Sequence, residues 1–197
     1  MDKFGKSQSV TRVEDTRFLT GAGRYVDDIA PAGGLRAYYF RSPVAHAAIT
    51  QLDVSEAKAA EGVHLVVTFE DLEAAVKDSG MAFAVVDNRD GTKGAGPKRP
   101  LLADGRVRFV GEPVAMVVAD TLEQARDAAE LIAFDYDELP VHMEAAPGPN
   151  TIHAEAPDNR AFDYGLGDEE ATTKAFEAAA KVVSLEIGDN RIIVNSM

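Results

Sequence analysis

Four histidines and no cysteine set the limits on what chemistry this chain can do by itself. His46, His64, His142 and His153 do not stand at metal-ligand spacing from one another. His142-Met-Glu144 is similar to the opening of a zinc deaminase signature, but the remaining ligands of that site are cysteines, and none exists here. The same absence excludes disulfides, a thiolate nucleophile, cysteine-ligated zinc and all-cysteine Fe–S clusters within the chain. His64 stands between Val63 and Leu65 in an apolar strand, so it reads as an outward-facing or internally satisfied side chain. No serine sits in a Gly-x-Ser-x-Gly elbow. Gly21-Ala-Gly23 lacks the strand that must precede a dinucleotide fingerprint, and Val26 stands where its last glycine belongs. Gly94-Ala-Gly-Pro-Lys98 has no Gly-Lys-Ser/Thr closing it, so it is not a phosphate loop. The residues describe no self-contained active site.

Two short clusters remain. In Gly111-Glu112-Pro113 a charge lies between two apolar segments. Pro113 cannot donate to a ladder and belongs at the first position of a strand or on an edge, and Gly111 offers the freedom for a bulge or bend. Glu112 either points to solvent or has a partner; the plain reading is a bulged strand start with a solvated Glu. The second cluster is Arg41-Ser42-Pro43 with His46. In a structural reading Arg41 pairs with a carboxylate at a strand end, Pro43 makes a turn and His46 donates to backbone. In a functional one, Arg41, Ser42, His46, Gly111 and Glu112 line a seam against another domain or subunit, where the planar donors of Arg are common.

The elements that must position these clusters follow from periodicity. Val114–Ala119 is an unbroken apolar run suited to a buried strand. Thr121-Leu-Glu-Gln124 is a capping box, and Leu122, Ala125, Ala128, Ala129 and Ile132 fall on one helix face. Ile132, Phe134 and Tyr136 then alternate as a strand. Upstream, residues 35–41 and 45–53 read as strands. A short helix capped at Asp53 and stopped by Gly62 follows, then a buried strand over 63–67. Thr68 caps a further helix with Phe69, Leu72 and Val76 inward. These are two strand–helix–strand units, and any parallel pairing within them would cross right-handed. Before them, Val13 and Phe18 anchor a short turn or helix ended by Gly21, and Pro31-Ala-Gly-Gly34 is a turn. Residues 78–106 are irregular, with turn material at 88–91 and 94–98 and one weak strand near 83–86; such a loop is a lid, a partner contact or mobile. Residues 143–160 read as a linker. Asp168 caps a last helix with Ala171, Ala175, Phe176, Ala179 and Val182 on its apolar face. An alternating strand, 183–187, and a hairpin return at 191–194 follow.

A chain of 197 residues with 46% hydrophobic content holds one or two domains with a real core. A net charge of −13 argues against nucleic acid and anionic membrane surfaces. No stretch is long and apolar enough to span a bilayer, and the opening residues carry no signal-like apolar core, so cytoplasmic is the expected location.

Three segments together resemble the start of the molybdenum hydroxylase large subunits, the family of xanthine dehydrogenase, aldehyde oxidase and aerobic carbon monoxide dehydrogenase. They are Arg12-x-Glu14-Asp15-x-x-Phe18-Leu19-Thr20-Gly21-x-Gly23-x-Tyr25-x-x-Asp28, then Arg41-Ser-Pro-x-Ala45-His46-Ala47-x-Ile49, then Val107-Arg-Phe-Val-Gly-Glu-Pro-Val-Ala115 continuing to Asp135-Tyr136-x-x-Leu139-Pro140. The resemblance implies an α+β fold. It implies an N-terminal arm over 1–19, an α/β hammerhead domain over 20–138, a linker over 139–160 and the truncated start of a molybdopterin-binding domain over 161–197. It further implies a molybdenum-pterin cofactor in the intact subunit, with Fe–S clusters and FAD on partner subunits. The family's cofactor contacts and catalytic glutamate lie beyond Met197, so no catalytic, cofactor-binding or metal residue carries over. The expected partners are the remainder of the large subunit, an Fe–S subunit and a flavin subunit. A stand-alone hammerhead interaction module without catalysis is the alternative.

Overall fold

Val114, Ala115, Val117 and Ala119 are buried in one seven-residue strand, and both of its faces are covered. This strand, β7 (Pro113–Ala119), is the centre of the computed structural model, which describes residues 11–76, 80–81 and 84–189. A near-continuous apolar run is what burial on two faces requires. One face, with Ala115, Val117 and Ala119, meets Ala125, Ala128 and Ala129 of helix α4 (Leu122–Glu130), together with Ala57, Val66 and Ile132. The other turns Val114 toward Ala47, Ala103 and Val107. The small alanines let α4 lie close against the sheet, as its spacing predicts, although Leu122 at the end of that stripe stays exposed.

Three antiparallel sheets are described. In the first, β7 lies between β1 (Arg36–Arg41) and β3 (Val63–Val67), with Val117 opposite Tyr38 on one side and Val66 on the other. In the second, β2 (Ala47–Asp53) lies between β6 (Arg106–Val107) and β8 (Ala133–Glu138). The third pairs β4 (Gly80–Met81) with β5 (Arg99–Pro100). Phe40 of β1 meets Phe134 of β8 edge to face at 5.5 Å, joining the first two sheets through one aromatic contact. Strands β1, β2, β3, β7 and β8 stand where periodicity places them, but the two strand–helix–strand units do not form as expected. Helix α2 (Ser55–Ala59) carries the chain from β2 to β3, and α4 carries it from β7 to β8, each time between different sheets. Among the described residues no crossover within one parallel sheet forms, so the handedness rule has nothing to act on there.

Local caps mostly follow the sequence. Thr121 Oγ1 accepts from Gln124 N–H at 3.2 Å while Gln124 Oε1 accepts from Thr121 N–H at 3.1 Å, closing the capping box of α4. Asp71 Oδ2 accepts from Thr68 N–H at 2.9 Å at the start of α3 (Phe69–Ala75). That helix buries no residue, and Val76 is its exposed C-cap rather than part of an inner face. The Asp53 cap is also displaced: α2 begins after Val54, and Asp53 instead accepts from Ser55 N–H at 2.9 Å. Of β3, only Val66 and Val67 are buried, whereas Leu65 is exposed.

The chain divides into two units, residues 35–182 and residues 1–34 with 183–197. In the smaller unit, α1 (Asp15–Leu19) leads to Gly21 at φ 74°, and Phe18 stacks on Tyr25 at 5.6 Å. Val13 is exposed and anchors nothing. Gly34 N–H donates to Pro31 O at 3.0 Å, making the expected turn. Residues 183–187 form no strand: Val183, Leu185 and Ile187 are exposed and find no ladder among the described residues. The return at 191–194 lies outside the described residues, as does Phe83 of the weak strand, whose described part, 84–86, is not in a strand. In the larger unit, helix α5 (Glu169–Ala178) is capped by Asp168, which accepts from Ala171 N–H at 2.8 Å, and its apolar face is exposed. Residues 143–160 are irregular but tied together, with Asn159 Nδ2 donating to Asn150 O at 2.8 Å and Gly148 O at 3.2 Å. Among the described residues, no helix is long and apolar enough to cross a membrane.

Candidate functional site

The five residues singled out in the sequence meet at one place, where β1 ends and β7 begins. The pairing shifts there: Phe40 faces Ala115 but Arg41 faces Pro113, so Val114 is an extra residue on β7. The ladder then continues beyond the named strands. Gly111 N–H donates to Ser42 O at 2.8 Å, and Ser42 N–H donates to Glu112 O at 2.9 Å. Gly111 has φ 85°, a left-handed conformation that glycine adopts without strain. Ser42 is itself closed into a local turn, its hydroxyl donating to Val44 O at 2.7 Å.

Glu112 is not solvated. It is 6% exposed, and its Oε2 accepts the Arg108 N–H at 2.5 Å, while its own N–H donates to Phe109 O at 3.2 Å. Residues 108–112 are therefore one turn, locked by a carboxylate folded back onto the amide four residues earlier. Burial pushes the Glu112 pKa up; the Arg108 N–H, the Arg108 charge and His46 pull the other way without balancing it. The outcome depends on Gly111: because the chain reverses there, the side chain turns inward rather than out.

Arg41 also departs from its simple reading. Its guanidinium donates to Gly111 O at 2.8 Å and lies 5.4 Å from the centre of the Tyr39 ring, so its contacts are a carbonyl and an aromatic face rather than a carboxylate. His46 matches expectation. It is 4% exposed, and its Nδ1 donates to Pro140 O at 2.7 Å, while Leu139 N–H donates to His46 O. Its Nε2 is buried with no hydrogen-bond partner among the described residues, as is Arg108 Nε. His64, at the edge of β3, is exposed and meets Asp120 at 2.8 Å, a satisfied surface histidine.

Sequence reasoning missed three groups here. Phe109 and Val110 belong to an apolar segment of the sequence, but the Glu112-locked turn presents both to solvent. Their signal was the position of Gly111 just after them. His153 approaches from the irregular segment, near enough to Arg108 and His46 for both to lower its pKa, with burial the larger cause. Nothing local in the sequence points to that approach.

The arrangement can hold and present a surface; it does not assemble reacting groups. Among the described residues no three His, Asp or Glu side chains converge to hold a metal ion. Arg89, Lys93 and Arg160 are each engaged by a carboxylate. These residues do not fit a molybdenum-pterin cofactor, and no reaction step is assigned to them.

Residues 20–140 match the family model described as aldehyde oxidase and xanthine dehydrogenase, a/b hammerhead domain. The chain belongs to this family of molybdenum hydroxylases. The nicotine 6-hydroxylase large subunit of Paenarthrobacter nicotinovorans is 37% identical over 196 residues, covering 95% of this chain and 22% of that protein. The carbon monoxide dehydrogenase large chain of Hydrogenophaga pseudoflava is 35% identical over 192 residues, covering 87% of this chain and 22% of that one. Among solved structures, the reconstituted CO dehydrogenase from Oligotropha carboxidovorans superposes with a TM-score of 0.68 at 34% identity, covering 87% of this chain and 22% of its own. The chain thus spans about a fifth of the length of these hammerhead relatives.

Proposed function

We propose that this chain is the N-terminal scaffold and interface part of the large, molybdopterin-binding subunit of a molybdenum hydroxylase. The intact enzyme oxidises carbon monoxide or hydroxylates a carbon centre of a small substrate, taking oxygen from water. In this reading residues 20–138 are the hammerhead, residues 139–160 a linker, and residues from 161 the start of the cofactor-binding domain. The molybdenum-pterin cofactor belongs to the rest of the subunit, and Fe–S clusters and FAD to partner subunits in the cytoplasm. One observation carries the reading: almost the whole chain aligns with the large subunit of a hydroxylase, but with only 22% of it.

The seam residues Arg41, Ser42, His46, Gly111 and Glu112 then build the contact surface rather than a catalytic one. Their support is the locked turn, which presents Phe109 and Val110 beside the Arg41–Tyr39 pair, the mixture of apolar, aromatic and Arg groups that interfaces favour. The isolated chain is catalytically inert. Purifying the 197-residue chain from cells competent in molybdenum-cofactor synthesis and measuring bound molybdenum and hydroxylase turnover tests this. Neither is expected; stoichiometric molybdenum or turnover overturns it.

A further inference from the structure

The irregular stretch between β4 and β5 contains a tight hairpin. Gly94 N–H donates to Val86 O at 2.9 Å and Asn88 N–H donates to Thr92 O at 2.8 Å, with Gly91 in the left-handed region at φ 81°. Its tip is tied internally: Asp90 accepts from the Thr92 N–H at 2.9 Å, and Asn88 Nδ2 donates to Thr92 Oγ1 at 2.9 Å. The hairpin is also tied to a segment more than sixty residues later. Arg89 N–H donates to Asp163 O at 2.8 Å, Ala95 N–H donates to Ala161 O at 2.7 Å, and Asp163 N–H donates to Asn88 Oδ1 at 2.8 Å. The Arg89 side chain adds Nε and Nη2 bonds of 3.1 and 2.8 Å to Asp163 Oδ1, and its Nη1 stands 3.9 Å from Glu169 at the start of α5.

Two glycines make this approach possible. A Cβ on Gly94 would come within 2.8 Å of both Ala161 O and Val86 O, which are backbone atoms with little room to give. A Cβ on Gly165 would come within 2.5 Å of the Arg89 side chain. Two backbone bonds from the hairpin to 161–163, a return bond from the Asp163 N–H to the Asn88 side chain, a charge-assisted side-chain pair and two close-approach glycines meet at this one junction. A cavity of about 440 Å³ lies beneath, but its basic side chains Arg89, Lys93 and Arg160 are all paired with Asp163, Asp87 and Asp158. It offers no open cation to a ligand, so the junction is mechanical.

We infer that the 86–95 hairpin is a clasp that fixes the path of the chain at residues 161–163 and sets the start of α5, with Arg89 as its positioning residue. The hairpin is thus tied to the later chain rather than free. This rests on the reading that the chain beyond residue 161 leads into the cofactor-binding domain, since the clasp then sets where that domain begins relative to the hammerhead. The clasp also stands by itself as a contact that can be measured.

Amide hydrogen exchange on the 197-residue chain tests it. In the unaltered protein the Arg89, Ala95 and Asp163 amides exchange at least tenfold more slowly than exposed loop amides. In Gly94→Ala, which adds a methyl group against two carbonyls at a residue with ordinary φ, they speed up at least tenfold while Val117 of β7 does not. Asp163→Ala, whose exposed side chain takes no part in the core, gives the same local loss and decides the matter should Gly94→Ala also loosen β7. Exchange within twofold of the unaltered protein in Asp163→Ala, or no protection to begin with, overturns the clasp. Molybdenum content moves in neither case, so failure here is distinct from failure of the functional reading.

Discussion

Replacing Glu112 by Gln separates the two roles its carboxylate plays. The oxygen that accepts the Arg108 N–H is retained and the charge is removed. At 6% exposure the charge is held against burial, and burial outweighs Arg108 and His46, since the pKa is raised. A carboxyl that holds its proton more tightly folded than unfolded is most stabilising when protonated. Its contribution is complete below the unfolded value of 4.5 and is lost as pH rises through the higher folded value. At pH 8 Glu112→Gln is therefore expected to be within about 1 kcal/mol of the wild type or more stable, because a neutral acceptor replaces a desolvated charge. Glu112→Ala removes the acceptor and strands the Arg108 N–H, at a cost of about 1–3 kcal/mol. Urea unfolding of the three proteins at pH 4.5, 6 and 8 measures this, with the wild-type-minus-Gln difference isolating the carboxyl from every other titrating group. That difference should move against the wild type as pH rises. A Gln variant more than about 1 kcal/mol less stable at pH 8, with the gap unchanged at pH 4.5, would refute the reasoning and make the charge itself the lock.

Two further outcomes follow from named contacts. Thr121→Ala opens the α4 capping box and should cost about 1 kcal/mol by denaturant midpoint, with Thr121→Ser restoring most of it; equal losses in both would show that the hydroxyl does not cap. His153 has its pKa lowered by burial, then by Arg108, so its contribution is lost as pH falls below the unfolded value of 6.5 toward the folded one. His153→Gln should accordingly flatten the loss of stability on acidification from pH 7 to 5, and an unchanged slope would place the titration elsewhere.

What could be read from the sequence was local. The α4 box, the Pro113 strand start and the apolar run after it depend on residues within a few positions of one another, and all appear where expected. What could not be read was pairing. Nothing in 45–67 or 107–138 says that the strands flanking each helix go to different sheets, because antiparallel partners such as Tyr38 and Val117 lie about eighty residues apart. The alternation of 183–187 misled for the same reason, since alternation describes a strand only once a partner exists. Asn88-Arg-Asp-Gly91 was legible as a turn, but its attachment to 161–163 was not. Glu112 is the instructive case. A charge between apolar segments has two fates, and the left-handed Gly111 beside it turned the carboxylate inward onto an amide four residues back.

The bulge connects these observations. Val114 is the inserted residue, fully buried, and it faces the second core cluster while its neighbours Ala115 and Val117 serve the first. The alternation of β7 supplies both cores, and the extra residue breaks regular pairing at the end of β1. The chain makes up the loss with the Gly111 N–H donating to Ser42 O, the Ser42 N–H donating to Glu112 O, and Arg41 donating to Gly111 O. An ordinary solvated side chain at 112 would leave the Arg108 amide open at that break. Glu112 closes it, at the expense of a buried carboxylate, and the closed turn is what holds Phe109 and Val110 outward. The buried acid is accounted for by the geometry of a bulged strand, so its perturbed proton affinity is no argument for catalysis at this site.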